Sequence, residues 1–460
     1  MGGLVSSARI RLPADVHATM LADVTRNEEW AGYLLCGVVR DGENWTFLGR
    51  EWCPVPPKFQ IRGTRYGLTW HPDFDVEMLN RSQNEGMACV IVHHHGGRTP
   101  RLSEPDRNTR DSLLPFLSSN SPLRPHGFVV LGDKALAGDA FLDGERIGDI
   151  DWMRVSGAWL EDWGNAPLAS LSDTERKRLD RSIRAFGARG QSLIKTSRVG
   201  IVGCGGGGSH LVQQLAYLGV GAFVLIDADR VEETNLNRLI GAAPAGRRKS
   251  FDRLFGRRRG DVGRLKVEVM DRLVKIANPA AEVTSFSEFF PSEKTVEALR
   301  TCDVVVACVD KLQVRDDLNR FAKRFVIPMV DIGIQIHADR PEVRGLNIAG
   351  RVTKVLADGP CLRCQGIIDD QKIADERGGQ APGYTGPDGI PDPAVVTLNG
   401  VVASIAATEV LQLLTGFASG AGPNAGWIYD GMTGALEGVR KSIVGCTACL
   451  AERAAGQPVV

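Results

Sequence analysis

The sequence predicts an α/β protein of two units, an α+β unit followed by a unit of alternating strands and helices. Residues 197–203 form an apolar strand that leads through a glycine-rich turn into a helix at 209–218. A second buried strand follows at 222–229, which is the order expected of a parallel sheet. Earlier in the chain, the short apolar segment Met87–Val92 predicts a buried strand that ends in a run of histidines.

Length and composition place the chain among ordinary globular proteins. Its 460 residues are 43% hydrophobic and 24% charged, which suffices for two or three packed domains. The 55 basic and 55 acidic side chains balance, so net charge gives no reason to expect nucleic acid or an acidic membrane as a partner. The first residues lack a secretory signal pattern, and no apolar stretch reaches the roughly 18 to 20 residues that span a bilayer. We therefore predict a cytoplasmic protein.

The boundary between the units is predicted from a change of pattern. We expect a first domain at residues 1–150, a linker at 151–169 that contains Gly-Asn-Ala-Pro, and a second domain at 170–460. A separate segment at 246–260 carries seven basic residues and one acid. We interpret this basic segment as a solvated crossing loop, with recruitment of an acidic partner or RNA as the alternative.

The histidine run predicts a metal site. Residues two apart on a strand point to the same side, so His93 and His95 can bind one ion while His94 faces away. Ser103 begins a predicted helix whose first turn contains Asp106, a candidate third ligand. Two imidazoles and a carboxylate, with a fourth position for water, form the ligand set of a hydrolytic zinc site. A plain capping motif and a structural histidine pair are the alternatives.

This His-x-His, Ser-x-x-Asp pattern resembles the zinc signature of the JAB/MPN metalloproteases. The resemblance implies a zinc-dependent peptidase or isopeptidase, with Ser103 binding the oxyanion. It also implies a glutamate general base on an early strand, for which Glu29 matches best and Glu28 is the alternative. Gly96 departs from the family, since many members have proline there.

The glycine-rich turn of the second unit predicts a nucleotide site. Residues 204–208 are all glycine after Cys204, and Asp227 lies near the end of the next strand. A glycine-rich turn at a helix N-terminus can bind phosphates, and an acid on the next strand can bind ribose hydroxyls. This pattern alone indicates only a Rossmann-like fold, for which a dehydrogenase is the general expectation.

The segment from Asp227 to Arg238 resembles the signature of the E1-like activating enzymes, the family of ThiF, MoeB and the ubiquitin-activating adenylation domains. The resemblance extends from Leu171 to the C-terminal cysteines. It implies an adenylyltransferase that uses ATP and magnesium and works as a homodimer. The residues it assigns are Gly203, Gly205, Gly206 and Gly208 around ATP, Asp227 at the ribose, Asn235, Arg238 and Lys266 at the phosphates, Asp310 at magnesium, and Arg181 at the dimer partner's ATP.

Two Cys-x-x-Cys pairs, Cys361/Cys364 and Cys446/Cys449, predict a closed structural zinc site. A redox role is the alternative. No cysteine lies between the two pairs, where thioester-forming relatives carry their nucleophile. Direct transfer of the adenylate is therefore expected, and transthiolation, with an E2-like or sulfur-donor partner, stays open.

Together, the two halves predict processing and activation of a ubiquitin-like protein that ends in Gly-Gly. The first unit would cleave the tail of this protein, and the second would adenylate the exposed glycine. One alternative is adenylation of a small peptide or metabolite carboxylate in sulfur transfer or natural-product synthesis. Another is an adenylyltransferase beside a non-catalytic JAB scaffold. The sequence leaves the substrate and the pathway, antiphage conjugation included, open.

Overall fold

The computed structural model describes residues 7–22, 30–64, 67–94, 100–121, 124–244, 260–338, 346–378, 393–418, 425–439 and 445–457. The chain forms two compact units. The first comprises Met1–Pro167, Lys323–Val326 and Leu450–Val460, and the second comprises Leu168–Ala322 and Ile327–Cys449.

The first unit is built on an eight-stranded mixed sheet with the order β1-β3-β2-β6-β7-β8-β9-β10. Because β1 pairs with both β3 and β9, the strands from β1 to β9 in this order close into a ring. Its strands are β1 Ser7–Pro13, β2 Trp30–Asp41, β3 Asn44–Pro54, β6 Ala88–His94, β7 His126–Leu131, β8 Leu136–Leu142, β9 Glu145–Ser156 and β10 Leu160–Gly164, with β4 Gln60–Thr64 and β5 Gly67–Trp70 as a separate pair. Its helices are α1 Ala14–Ala22, α2 Pro72–Glu85 and α3 Glu104–Asn120.

The first unit has an apolar core on each face of strand β6. Val90 and Val92 belong to one core, and Cys89 and Ile91 belong to the other, together with apolar residues of α2 and α3. This alternation follows from the two-residue period of a strand. It places His93, the next odd-numbered residue, on the face that packs against the two helices.

The second unit is a doubly wound sheet with the order β13-β12-β11-β14-β15-β16-β17-β18. The strands from β13 to β15 are parallel, and those from β15 to β18 are antiparallel. The strands are β11 Arg198–Val202, β12 Ala222–Ile226, β13 Glu282–Phe286, β14 Val304–Ala307, β15 Met329–Ala338, β16 Leu346–Val355, β17 Gly426–Asp430 and β18 Ala435–Val439. The helices are α4 Asp173–Arg178, α5 Asp180–Thr196, α6 Gly206–Tyr217, α7 Lys266–Ala277, α8 Glu293–Arg300, α9 Leu312–Phe325, α10 Asp370–Arg377, α11 Val396–Thr415 and α12 Thr447–Glu452.

The strand order of the second unit creates a ligand crevice. The chain proceeds from β11 outward through β12 to β13, then returns to the other side of β11 as β14. Such a reversal leaves an opening at the carboxyl ends of the central strands, where α/β proteins bind their ligands. The loops after β11, β12 and β14 therefore meet at one place.

Two predicted domain limits differ from the structure. Residues 151–164 are not a linker, since β9 continues to Ser156 and β10 pairs with it in antiparallel fashion. Trp163, one of the tryptophans of that segment, is buried in the core. The second domain does not extend to 460, because the tail from Leu450 belongs to the first unit. There the amide of Gln457 donates to the carbonyl of Val38.

One helix corrects our expectation about apolar stretches. Helix α11 has the length and composition of a membrane span, with a mean hydropathy of 1.4, and half of that window is buried in the protein. Its buried residues include Val402, Ala406 and Val410, and Gly416 ends it with a positive φ of 64°. Among the described residues it is the one helix that passes this test. It packs against α6 and β15 as a core helix of the second unit.

Candidate functional site

A cavity of about 490 Å³ opens at the carboxyl ends of the central strands of the second unit. Eight of the residues assigned from the sequence line it. They are Gly203, Gly205, Gly206, Asp227, Asn235, Arg238, Lys266 and Asp310. Residues spread over more than 100 positions of the chain are thus brought into one site, as expected when the loops of parallel strands meet at one edge.

The glycine turn is shaped by close backbone contacts. Gly203 has a φ of 93°, and a Cβ there would lie 2.4 Å from the carbonyl oxygen of Cys308. Helix α6 begins at Gly206, earlier than the predicted Ser209, so its first amides lie within the turn that lines the cavity. Gly208 does not line the cavity. A Cβ at Gly208 would lie 2.0 Å from the carbonyl oxygen of Gly203, so this glycine permits close packing within the turn.

The carboxylate of Asp227 is held in place by backbone amides. One oxygen accepts from the amide of Cys204 at 2.7 Å, and the other accepts from the amide of Asp229 at 2.8 Å. Burial raises the pKa of Asp227, while the positive charge of Lys266 lowers it. Asp227 follows the end of β12 at Ile226, where a ribose-binding acid is expected.

Two cationic side chains and an amide side chain also line the cavity. The ammonium of Lys266 contacts a carboxylate oxygen of Asp229 at 2.7 Å. The guanidinium of Arg238 donates to the carbonyl of Thr234 at 2.6 Å. The side-chain oxygen of Asn235 accepts from the amide of Glu232 at 3.2 Å. These contacts hold two positively charged side chains, Lys266 and Arg238, in the wall of the cavity.

Sequence reasoning missed four polar residues that line the same cavity. Lys311 stands next to Asp310 and Asp229 stands two residues after Asp227, so the motifs could have revealed them. Glu288 lies two residues after the end of β13. Asn399 lies on α11, far along the chain, and gave no sequence signal. A Cβ at Gly206 would lie 2.3 Å from the Asn399 amide nitrogen, which places that side chain against the turn.

Asp310 and Arg181 differ from the other assigned residues in where they lie. Asp310 lines the cavity but lies in the loop three residues after the end of β14, and not at the end of a strand as predicted. Arg181 lies on α5, is exposed and does not line the cavity. Its proposed role at a dimer partner's ATP therefore stays a prediction.

The four cysteines of the Cys-x-x-Cys pairs converge, as predicted. Their sulfurs lie within 4.8 Å of one another, with contacts of 3.7 Å for Cys361/Cys364, 3.6 Å for Cys361/Cys446 and 3.6 Å for Cys364/Cys449. These distances exclude disulfides and match the roughly 3.8 Å between sulfurs around a tetrahedral zinc ion. Hydrogen bonding from Cys449 lowers the pKa of Cys361 to about 4, which favours the thiolate that binds metal.

The remaining cysteines of the second unit are unsuited to nucleophilic attack. Cys204, Cys302 and Cys308 lie outside the cysteine cluster found among the described residues. Burial raises the pKa of Cys204 and of Cys308 well above the ordinary value for a thiol. Residues 379–392, which lie between the cysteine pairs, and residues 246–259 of the basic segment lie outside the described residues.

In the first unit, the structure brings together the described part of the predicted metal site. His93 Nδ1 lies 2.9 Å from Asp106 Oδ1, and both side chains are buried. The hydroxyl of Ser103 donates to the other oxygen of Asp106 at 2.6 Å, within a capping box that begins α3. Ser103 thus holds Asp106, and its predicted oxyanion role stays a prediction. Glu29, Glu28 and His95 lie outside the described residues.

Comparison with known proteins finds relatives of the second unit. The sequence pattern of the ThiF family matches residues 179–447, more than half of the chain. The molybdopterin-synthase adenylyltransferase of Escherichia coli (strain K12) is 31% identical over 275 residues, which cover 58% of this chain and 92% of that enzyme. The SAMP-activating enzyme E1 of Haloferax volcanii is 30% identical over 251 residues, which cover 53% and 78%. A crystal structure of E. coli MccB with ATP covers 61% of this chain and 76% of that protein, at 21% identity and a TM-score of 0.45.

The second unit is an E1-like adenylyltransferase domain, and the chain belongs to the ThiF family. The family match begins at residue 179, after the sheet of the first unit. The JAB/MPN resemblance of the first unit therefore stays a proposal.

Proposed function

We propose that this protein uses ATP to adenylate a carboxylate, and that its substrate is the C-terminus of a peptide or small protein in sulfur transfer or natural-product synthesis. The observation that carries the proposal is the meeting of Asp227, Lys266 and Asp310 around one glycine turn. The acid suits a ribose, the lysine suits phosphates, and Asp310 suits a divalent cation. A hydride-transfer enzyme needs no such pairing of a cation with a metal-binding carboxylate.

The cavity residues fit the chemistry of adenylation. A carboxylate oxygen of the substrate attacks the α-phosphorus, the bond from this phosphorus to the bridging oxygen breaks, and pyrophosphate leaves with both electrons of that bond. Arg238 and Lys266 would bind the phosphate oxygens and stabilise the charge that develops on them. Asp310 would hold a magnesium ion, which neutralises charge on the departing pyrophosphate when it is bound. The amides of the turn would orient the triphosphate.

The substrate class is proposed from the relatives. The two enzymes named above are a molybdopterin-synthase adenylyltransferase and a SAMP-activating E1. Their names favour activation of a protein C-terminus, and the lack of cysteine between 364 and 446 favours transfer without a thioester on that segment. A free metabolite carboxylate is the competing substrate.

Exchange of labelled pyrophosphate into ATP tests the activity. The purified chain should catalyse exchange only with an acceptor that ends in a free carboxylate. Replacing Asp310 by Asn should reduce exchange by about 100-fold, the scale for losing one charge-stabilising group. Glu297→Gln, at an exposed carboxylate on α8, is the matched control and should behave as wild type. Tight binding of NAD without exchange for any carboxylate would contradict the proposal.

We also propose that the first unit is a zinc-dependent peptidase, because the buried His93–Asp106 pair brings a nitrogen and an oxygen ligand within 2.9 Å of each other. These ligand types suit zinc, which lowers the pKa of a bound water and polarises a carbonyl. Ser103 would keep Asp106 oriented for the metal. Trp30 and His94 are register partners of β2 and β6, and Glu29 and His95 are their neighbours in the sequence. Glu29 would act as the base.

Metal content and cleavage test the peptidase. His93→Ala and His95→Ala should each remove about one of two zinc equivalents and abolish chelator-sensitive cleavage of a tailed ubiquitin-like protein. His71→Ala is the control, since His71 is an exposed helix cap in the same unit. Full zinc content in the His93 variant would contradict the site.

If both activities act on one partner, the protein both processes and activates it, and a non-catalytic first unit is the competing outcome. The homodimer and the cytoplasmic location also stay predictions.

A further inference from the structure

Helix α9 carries side chains that reach two separate parts of the second unit. The turn between Cys361 and Cys364 contacts this helix, and the loop that holds Asp310 lies directly before its first residue, Leu312. Two consecutive buried residues of the helix make these contacts: Asp316 binds the turn between the cysteines, and Arg315 binds the loop before the helix. Because one helix makes charge-assisted hydrogen bonds to both places, restricting the motion of one place can also restrict the motion of the other.

On the metal side, Asp316 binds the arginine that lies between two of the cysteines. Arg363 Nε and Nη2 donate to the two oxygens of Asp316 at 2.8 and 2.7 Å, a bidentate arrangement. The amide of Leu362 donates to the side-chain oxygen of Asn319 at 2.9 Å. The Asp316 side chain is 3% exposed, so solvent offers little competition for these bonds. The turn between Cys361 and Cys364 is therefore fixed to α9 by three hydrogen bonds.

On the nucleotide side, Arg315 holds the loop before the helix. Its Nη2 donates to the carbonyl of Val309 at 2.5 Å, one residue before Asp310. Its Nη1 donates to both oxygens of Asp331 on β15 at 2.8 Å. The side chains of Arg315 and Asp331 are 3% and 0% exposed. The position of Asp310 thus depends on where α9 places Arg315.

We propose that Arg363 is a positioning residue for the nucleotide site, and that metal bound by the four cysteines and magnesium ATP bound at Asp310 stabilise each other through α9. The inference rests on the proposed adenylation activity. Metal binding orders the Cys361–Cys364 turn and thereby holds the guanidinium group of Arg363. This group holds Asp316 on α9, and the neighbouring Arg315 holds the loop that contains Asp310. Lysine at 363 keeps the charge but lacks a fork that could bind both oxygens of Asp316.

The test compares Arg363→Lys with Arg320→Lys. Arg320 also binds Asp316, at 3.1 Å, but it lies on α9 itself and is 43% exposed, so it is the matched control. Calorimetric titration with magnesium ATP should show binding weakened at least about fivefold in Arg363→Lys, the lower end of coupling between sites. Arg320→Lys should bind as wild type. Equal binding by all three proteins would overturn the inference.

A second measurement reports on the reverse direction, which linkage requires to have the same sign. With cobalt(II) in the cysteine centre, the thiolate charge-transfer band reports on that centre alone, and its loss on addition of EDTA gives the rate of metal release. Saturating magnesium ATP should slow release from the wild-type protein and leave the rate for Arg363→Lys unchanged. A wild-type rate that is the same with and without nucleotide would overturn the inference, even if the variant cannot be purified. Failure of the wild-type protein to bind magnesium ATP would overturn the proposed activity and this inference with it.

Discussion

At the residue scale, the glycines of the nucleotide turn have different tasks, although they form one run in the sequence. Gly205 faces the cavity, and a Cβ there would meet nothing within 4 Å. Gly208 faces the backbone of Gly203, with no room for a Cβ. The first glycine leaves space for a ligand, and the second allows the turn to close.

This difference predicts that alanine substitutions at the two positions affect different properties of the protein. Gly205→Ala should fold normally but bind ATP more weakly, because the new methyl group occupies the cavity. Gly208→Ala should lower the free energy of unfolding by about 1–3 kcal/mol, since the backbone must shift. Thermal unfolding and ATP titration separate the two. Normal stability of the Gly208 variant would contradict the packing role.

Glu175 is a residue whose charge depends on its neighbours. It accepts a hydrogen bond from Lys195 at 2.6 Å and from the amide of Ser172 at 2.8 Å, and the lysine contact is the main cause of its pKa of about 2. The pKa in the unfolded chain is about 4.3, so the folded state is favoured when the carboxylate is ionised. This stabilisation is complete above about pH 5 and is lost as the pH falls towards 2.

We expect Glu175→Gln to cost about 1 kcal/mol near neutral pH, the scale of an ion pair that water partly screens. The cost should shrink as the pH is lowered from 5 towards 2, because the carboxylate of the unfolded chain, with its pKa of about 4.3, takes up a proton before the carboxylate of the folded protein does. Urea unfolding of both proteins at several pH values measures it. A cost independent of pH would show that the charge does not matter.

At the scale of elements, the cysteine centre joins the loop after β16 to the start of α12. The two Cys-x-x-Cys pairs are 82 residues apart in the sequence, counted from Cys364 to Cys446, and a metal ion would cross-link them. Such a link restricts the unfolded chain and supplies binding energy to the folded one.

Cys361→Ser should therefore remove about one equivalent of zinc and destabilise the second unit, because three thiolates bind the ion less well than four. Limited proteolysis should then cleave within residues 346–452 before the sheet of the first unit. Cys53→Ser, at a buried thiol of the first unit, is the control and should keep its zinc. Unchanged zinc content in the Cys361 variant would contradict the metal site.

At the scale of the whole molecule, each unit has its own sheet, its own core and its own candidate site. The described lining of the nucleotide cavity comes from one chain, and the family resemblance adds Arg181 from a dimer partner. This arginine is exposed on α5, where another chain could use it. A closed two-fold pair would give each site one arginine from the other chain.

Mixing Arg181→Ala chains with Asp310→Ala chains should then restore pyrophosphate exchange to about one site per heterodimer, because one site receives both native residues. The parent variants should each be inactive. Co-purification of the two variants through different affinity tags must show that heterodimers form. If they form and remain inactive, Arg181 acts within its own chain or has no part in the reaction.

The sequence pattern by itself predicted the glycine turn and Asp227 as parts of a nucleotide site, because a strand leads into the turn and the acid follows the next strand. Asn235, Arg238, Lys266 and Asp310 were assigned from the family resemblance, and the meeting of parallel-strand loops at one edge explains why they share a cavity with Asp227. The cysteine pairs were equally readable, since their spacing is that of metal-binding turns. The approach of Asp106 to His93 also followed, from strand alternation and a helix cap.

The tertiary structure alone decided contacts between residues far apart in the chain. Asn399 enters the cavity because α11 packs beside α6, and no local pattern marks it. Arg315 and Asp316 are an ordinary charged pair in the sequence, and only packing buries them and gives each a different partner. Likewise, burial of Trp163 makes the predicted linker part of a sheet. The local sequence pattern shows the hydrophobic period and the turn residues. The partner of a buried charge, in contrast, depends on how the helices and strands pack against each other.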